Sequence, residues 1–253
     1  MIKVVIIGSG NVAQHLIQAF AKSKEIEVMQ VFSRRKDTIV PLLDSSKITT
    51  DFNDLVEADI YIIAVSDDAV AKVSSQLSFE KRLVVHTSGS VPIDSLDNKN
   101  RRGIFYPLQT FTRGKEVDFS QIPICLESEN ESDLDLLEKA AKSISNNAFK
   151  SNEKQRKALH ISAVFVNNFV NEMYRIGNEI CEENKVPFEI LKPLILETVN
   201  KVMTLSPKEA QTGPAKRNDT QTIEAHLDFL SNENHAKIYK ILTQSIQNNG
   251  KEL

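Results

Sequence analysis

Apolar runs of strand length punctuate the first part of the chain: IKVVII from Ile2, IEVMQVF from Ile26, IYIIAV from Ile60, RLVVH from Arg82 and GIFYPL from Gly103. They are rich in Val and Ile and nearly unbroken by polar residues, the pattern of parallel strands buried on both faces. Between the first two, Val12, Ala13, Leu16, Ile17 and Phe20 recur at helical spacing and make one apolar stripe. The segment therefore reads as a βαβ unit. ICLES from Ile124, a helix over 131–144 and NAFK from Asn147 continue the alternation. From Asn152 on the period is helical throughout, with apolar-periodic stretches around 154–184, 187–205, 221–231 and 233–248. This order predicts an α/β chain: a doubly wound, mainly parallel sheet with right-handed crossovers over 1–151, then an all-helical C-terminal domain over 152–253. Pro187 and Pro207 are placed just inside helix starts.

The first strand ends in Gly8-Ser9-Gly10 and runs directly into the helical stripe. In that context Gly8, Gly10 and Ala13 fit a Gly-x-Gly-x-x-Ala fingerprint, the signature of a Rossmann-like dinucleotide site. Gly8 allows the tight turn, Gly10 leaves room for a pyrophosphate, and Ala13 lets the helix pack on the strand. Ser9, Asn11 and Val12 complete the loop, and Val65 and Ser66 end the IYIIAV run on the same side. The competing reading is a turn that needs glycine and binds nothing. Cofactor choice is read where the second strand ends. An Asp or Glu there would accept from the ribose of NAD, but this chain has Ser33, Arg34, Arg35 and Lys36. Guanidinium groups offer paired donors to a 2′-phosphate, so the expected cofactor is NADP(H). A solvated basic turn is the alternative.

Two further strand ends fall on the ligand side. Asp67 is read as a helix cap. His86 and Ser88 are candidates for the surroundings of the nicotinamide or substrate, with a serine buried in a tight turn as the other reading of Ser88. In the helical part, Asn167 and Asn171 fall within about 20° of the direction of His160 on a regular helix. Such a polar line in an apolar segment either bonds another helix or faces a ligand. His160 is the expected proton donor, with Asn167 beside it and Asn171 binding substrate. Further on, Gly213 and Pro214 force a turn, and Asp219 or Thr220 caps the next helix. Arg217 either binds a substrate carboxylate or pairs with Asp219.

Composition narrows the picture. The 253 residues carry a net charge of -3, with 26% charged and 41% hydrophobic, which gives no global attraction to nucleic acid or anionic membrane. No apolar run is long enough to span a bilayer, and no signal-peptide pattern is visible, so the cytoplasm is the expected location. Cys125 and Cys181 lie far apart, are read as buried small hydrophobes and fit a reducing compartment. The histidines His15, His86, His160, His226 and His235 show no metal-ligand spacing, so no metal site is expected.

Taken together, GSGNVAQHL, AVSDDAV, HTSGS, YPLQTF, HISAVFVNNF and TGPAKRND, with the later His226, resemble a bacterial family of two-domain proteins labelled NADP oxidoreductases. These pair a Rossmann-like domain with a helical domain of unknown function. Two departures stand out: Tyr106 precedes Pro107 where the family often has histidine, and Asn218 stands where it often has glycine. The layout is more distantly similar to pyrroline-5-carboxylate reductases and to the 6-phosphogluconate and 3-hydroxyacid dehydrogenases. The resemblance implies a substrate site between the two domains and a homodimer formed by the C-terminal helices. The 3-hydroxyacid dehydrogenases use a helix lysine with an asparagine four residues on. Here Lys157 is followed by Ile161, so that chemistry is not supported. The expected activity is NADP(H)-dependent hydride transfer to or from a small polar C=O or C=N group in the interdomain cleft. The alternatives are a dinucleotide-binding sensor or dimeric interaction protein without chemistry, and another phosphate ligand, such as a nucleotide sugar, at the glycine loop.

Overall fold

The computed structural model describes residues 1–248, apart from the side chain of Lys36. The last residues of the expected helical domain, 249–253, and the side chain of the Lys36 member of the basic turn therefore lie outside what is described. The chain divides into two compact units, one ending at Asn168 and one starting at Phe169.

The first unit is built on one sheet of eight strands: β1 (Ile2–Ile7), β2 (Ile26–Phe32), β3 (Ile48–Thr49), β4 (Ile60–Ile63), β5 (Leu83–His86), β6 (Arg101–Pro107), β7 (Ile124–Ser128) and β8 (Ala148–Lys150). Their order is β3-β2-β1-β4-β5-β6-β7-β8. All neighbours pair in parallel except β6 and β7. The chain leaves β1 toward β2 and β3 and returns to β4 on β1's other side, so the order reverses between β1 and β4. A crevice at the carboxyl ends of those two strands is where such sheets take ligands.

Period-two alternation explains why the strands read as unbroken apolar runs. Val4 and Ile6 face one core with Leu16 and Phe20 of helix α1 (Asn11–Lys22), while Val5 and Ile7 face another with Tyr61, Val70 and Leu96. Both faces are dry, and each fully buried side chain of this size stabilises the fold by about 1.5–3 kcal/mol. Helix α2 (Val70–Ser75) covers the second face. Helix α3 (Glu131–Lys142) adds Leu137, Ala140 and Ala141 to the first; Asn130 caps it by accepting from the Asp133 N–H. The two-residue β3 was not announced by any apolar run, because its partner β2 supplies most of its order.

Helix α4 (Glu153–Ala163) opens with a capping box between Asn152 and Gln155. A π-helical segment, Val164–Phe169, follows it, and the boundary of the two units falls inside that segment. The unit boundary thus lies further along the chain than the change of pattern at Ser151. The reason is Arg156: fully buried, it ties α4 to Glu127 of β7, so the first helix of the helical stretch belongs to the sheet.

The second unit contains helices α5 (Val170–Glu183), α6 (Lys192–Thr204), α7 (Pro207–Ala210), α8 (Pro214–Arg217), α9 (Thr220–Phe229) and α10 (Glu233–Asn248). Pro207 starts α7 as expected, but Pro187 stands before a 3-10 turn at Phe188–Leu191 rather than inside a helix. Asp219 caps α9, accepting from the Thr222 N–H, and Thr220 is its first residue. Asn218 closes α8 in the left-handed region at φ 54. Glycine and asparagine are the residues that tolerate this conformation, which accounts for the asparagine in place of the usual glycine. His235 is buried with Nε2 3.2 Å from Glu179. Cys181 is half-buried, not buried as expected of it; Cys125 is buried in the first unit. Among the described residues no helix is long and apolar enough to cross a membrane.

Candidate functional site

The β1–α1 turn closes against β4. Gly8 sits at φ +137, and a Cβ there would lie 2.1 Å from the carbonyl oxygen of Ala64, so only glycine fits. Gly10 is different. It is the N-cap of α1 at φ -71, and a Cβ added to it would meet nothing within 4 Å. No side chain caps α1 and no acidic residue occupies its first turn. The helix therefore presents backbone N–H groups and a positive end to the space above it.

That space is a cleft of about 960 Å³ in the first unit. Of the residues expected to hold cofactor, Gly8, Ser9, Gly10, Asn11 and Val12 line it at the glycine turn, and Val65 and Ser66 line it after β4. Ser33, Arg34 and Arg35 line it at the end of β2. Ala13 is fully buried under α1, the packing role read for it. The Asn11 side chain is committed elsewhere, since its Nδ2 donates to the Phe111 carbonyl at 2.9 Å.

At the β2 end, Ser33 is buried and its hydroxyl donates to the Arg35 carbonyl at 2.7 Å while accepting from the Arg35 N–H. Ser33 thus shapes the turn, and the exposed Arg34 and Arg35 are what the turn offers to a ligand. The pattern of residue types did not single out Phe52, which stacks on Phe32 with ring centroids 3.9 Å apart, nor Lys72 and Arg113. These come from loops and α2, brought in by topology alone. Asp68 is the one carboxylate among the described lining residues, against Arg34, Arg35, Lys72 and Arg113. The balance suits a ligand with several phosphates.

A second group of polar side chains gathers at the carboxyl ends of β4, β5 and β6. The Ser90 hydroxyl donates to Asp67, and the Ser88 Oγ accepts from the N–H groups of Ser90 and Val91. Ser66, not Asp67, is the cap of the following turn; Asp67 is occupied by Ser90. His86 is fully buried: its Nδ1 accepts from the Ser88 N–H and its Nε2 faces the Pro92 carbonyl. Burial, then the nearby Arg156 charge, push its pKa down to about 4, so the ring is neutral. With both nitrogens taken, His86 holds the turn rather than a substrate.

Tyr106 and His160 meet over Gly89. The Tyr106 hydroxyl lies 3.2 Å from His160 Nδ1, and a Cβ at Gly89 would lie 2.7 Å from each of those side chains. Burial raises the phenol to about 12, so it stays protonated, and the tautomer of His160 sets which of the two donates. Arg156 fixes the same turn by donating to the carbonyls of Gly89 at 3.2 Å and Val91 at 2.9 Å. Its charge is balanced by Glu127, whose own pKa is raised by burial.

The polar line expected on one helix is broken. The π-helical segment winds more residues into a turn, so Asn167 no longer follows His160 at the regular phase. His160 is half-buried against Tyr106, whereas Asn167 is exposed, and Asn171 is exposed in the second unit. Arg217, also in the second unit, lies 3.9 Å from Asp219, the pairing left open by the sequence.

A glycine turn aimed at an uncapped helix start, at the switch point of a doubly wound sheet, defines a nicotinamide-dinucleotide-binding class of protein. The family profile described as NADP oxidoreductase, coenzyme F420-dependent, matches residues 3–89, and that of a domain of unknown function, DUF2520, matches residues 122–246. The structure is similar to a "putative NADP oxidoreductase" from Bacteroides fragilis at 36% identity and TM-score 0.88, covering 97% of this chain and 98% of that one. A protein from Thermotoga maritima matches at 21% identity and TM-score 0.76, covering 96% and 99%. A pyrroline carboxylate reductase from Plasmodium falciparum, solved with NADP bound, shares the fold at 15% identity and TM-score 0.60, covering 97% and 98%. No curated protein matches the chain in sequence. The chain belongs to the NADP oxidoreductase family that joins a Rossmann domain to a DUF2520 domain.

Proposed function

We propose that this protein is an NADP(H)-dependent reductase or dehydrogenase of a small polar C=O or C=N compound. The observation that carries the cofactor choice is the β2 end, where Arg34 and Arg35 border the cleft and, among the described lining residues there, no carboxylate does. The N–H groups at the start of α1 would hold the diphosphate, and the two arginines the 2′-phosphate. When bound, the nicotinamide supplies or accepts a hydride. The protein's own part, at the polar group beyond the carboxyl ends of β5 and β6, is proton management. The Tyr106 hydroxyl, kept protonated by burial and oriented by His160, would donate to the oxygen of a reduced carbonyl, and Arg156 keeps the Gly89 turn in place beneath the pair. An iminium substrate arrives protonated and needs that donor less. The pyrroline reductase with NADP bound supports a C=N substrate only at the level of fold.

We also propose a homodimer formed through the helices of the second unit, where Leu194, Leu196 and Met203 of α6 are exposed. The free cysteines fit action in a reducing compartment, the cytoplasm.

Calorimetric titration with NADPH and NADH side by side tests the cofactor assignment. Preferential binding of NADPH is expected, and Arg34→Ala should weaken it by about 1.5–3 kcal/mol, the range of hydrogen bonds to a charged group. An unchanged NADPH affinity in that variant would remove the 2′-phosphate from the β2 turn.

A further inference from the structure

The segment between β6 and β7 comes back to the start of α1 and is fastened there. Asn11 Nδ2 donates to the Phe111 carbonyl at 2.9 Å, and His15 Nε2 lies 2.9 Å from the Lys115 carbonyl. The His15 and Phe111 rings are 4.9 Å apart, and Phe111 stacks on Phe119. Between these fastenings the Lys115 N–H donates to the Thr112 carbonyl, closing a turn in which Gly114 takes φ +76. Arg113 sits in that turn. It is exposed, forms no ion pair among the described residues, and lines the same cleft as Gly10.

Resting on the dinucleotide reading above, we infer that Arg113 binds the diphosphate of the cofactor. The tethers matter to the argument. Asn11 and His15 belong to the first turns of α1, so the loop they hold is registered on the helix end whose N–H groups face the diphosphate. A guanidinium held beside that helix end would give paired donors to the diphosphate oxygens, in addition to the backbone N–H groups. The division of labour is then spatial: Arg34 and Arg35 serve the 2′-phosphate, and Arg113 serves a group that NADP and NAD share.

That division sets the test. With the full-length protein, calorimetry of NADPH and NADH is compared for wild type, Arg113→Ala and Arg34→Ala, with thermal melts confirming that each variant is folded. Arg113→Ala is expected to weaken both dinucleotides by about tenfold and to leave their ratio unchanged. Arg34→Ala is expected to change the ratio. Arg113→Ala with wild-type affinity for both overturns the inference, as does a loss confined to NADPH, which would move Arg113 to the 2′-phosphate. A wild type that binds neither dinucleotide overturns the cofactor reading itself. Limited trypsinolysis gives a readout without a variant: saturation with either dinucleotide should protect the Arg113–Gly114 bond, and equal cleavage with and without them counts against the assignment.

Discussion

The hydroxyl of Tyr106 lies 3.2 Å from Nδ1 of His160, so the last strand of the parallel run and the helix that follows the sheet share one hydrogen bond. If this pair delivers the proton, Tyr106→Phe should slow ketone reduction by about a hundredfold while leaving the dissociation constant of NADPH unchanged. Steady-state rates on a panel of ketones and cyclic imines, beside calorimetry, measure both. Tyr106→His, which restores a donor, should recover part of the rate. Full activity in the phenylalanine variant would take the phenol out of the chemistry.

The two glycines of the turn should fail in different ways. Gly8→Ala drives a methyl into the Ala64 carbonyl and is expected to cost at least about 2 kcal/mol of stability. Gly10→Ala meets open space at an ordinary φ, so it should cost no more than the loss of a glycine N-cap, about 1 kcal/mol, and less than Gly8→Ala. Its methyl enters the cleft, so its NADPH affinity should fall. Melting curves and titrations of both variants decide the matter, and normal cofactor binding by Gly10→Ala would separate the glycine loop from the diphosphate.

His86 should make the protein labile to acid. Its folded pKa, about 4, lies below the value of about 6.5 expected in the unfolded chain, so the unfolded state takes up the proton first. The stabilisation is complete above pH 6.5 or so and drains away as the pH falls toward 4, a span worth roughly 3 kcal/mol. His86→Asn keeps an acceptor for the Ser88 N–H without the titrating ring. Melting temperatures from pH 7 to 4.5 should drop more steeply for wild type than for this variant, and parallel curves would acquit the histidine.

On α6, Leu196 is 61% exposed and Met203 79%, and seven residues apart they share one face of the helix. Burying each against a second copy is worth about 1.5–3 kcal/mol. Replacing both by glutamate should convert a dimer in sedimentation velocity to a monomer. A wild-type protein that sediments as a monomer at micromolar concentration would refute the proposed assembly.

Much of the first unit was legible in the sequence because burial on both faces leaves an unmistakable local trace. Ile60 to Ile63 have almost no alternative to a central strand, and Gly8 beside Gly10 marks a turn at its end. What escaped notice depends on residues far apart in the chain. Tyr106 and His160 are 54 positions apart, and Asn11 reaches Phe111 across 100. No window of residue types reveals such meetings. His86 misled for a related cause, since a histidine at a strand end looks the same whether its nitrogens face a ligand or the backbone. The line through His160, Asn167 and Asn171 presumed a regular helix, and apolar periodicity carries no warning of a π-helical segment.

The antiparallel step between β6 and β7 has a consequence for traffic through the fold. Because β7 and β8 run downward relative to their six predecessors, the chain leaves the sheet heading away from the ligand rim, and α4 must travel back. On that return leg Arg156 passes Glu127 and, one turn later, His160 arrives beside Tyr106. Had the closing strands pointed upward like the rest, the next helix would have departed from the rim instead of climbing to it. The reversed pair is a U-turn that brings a histidine from beyond the sheet to where the chemistry is proposed.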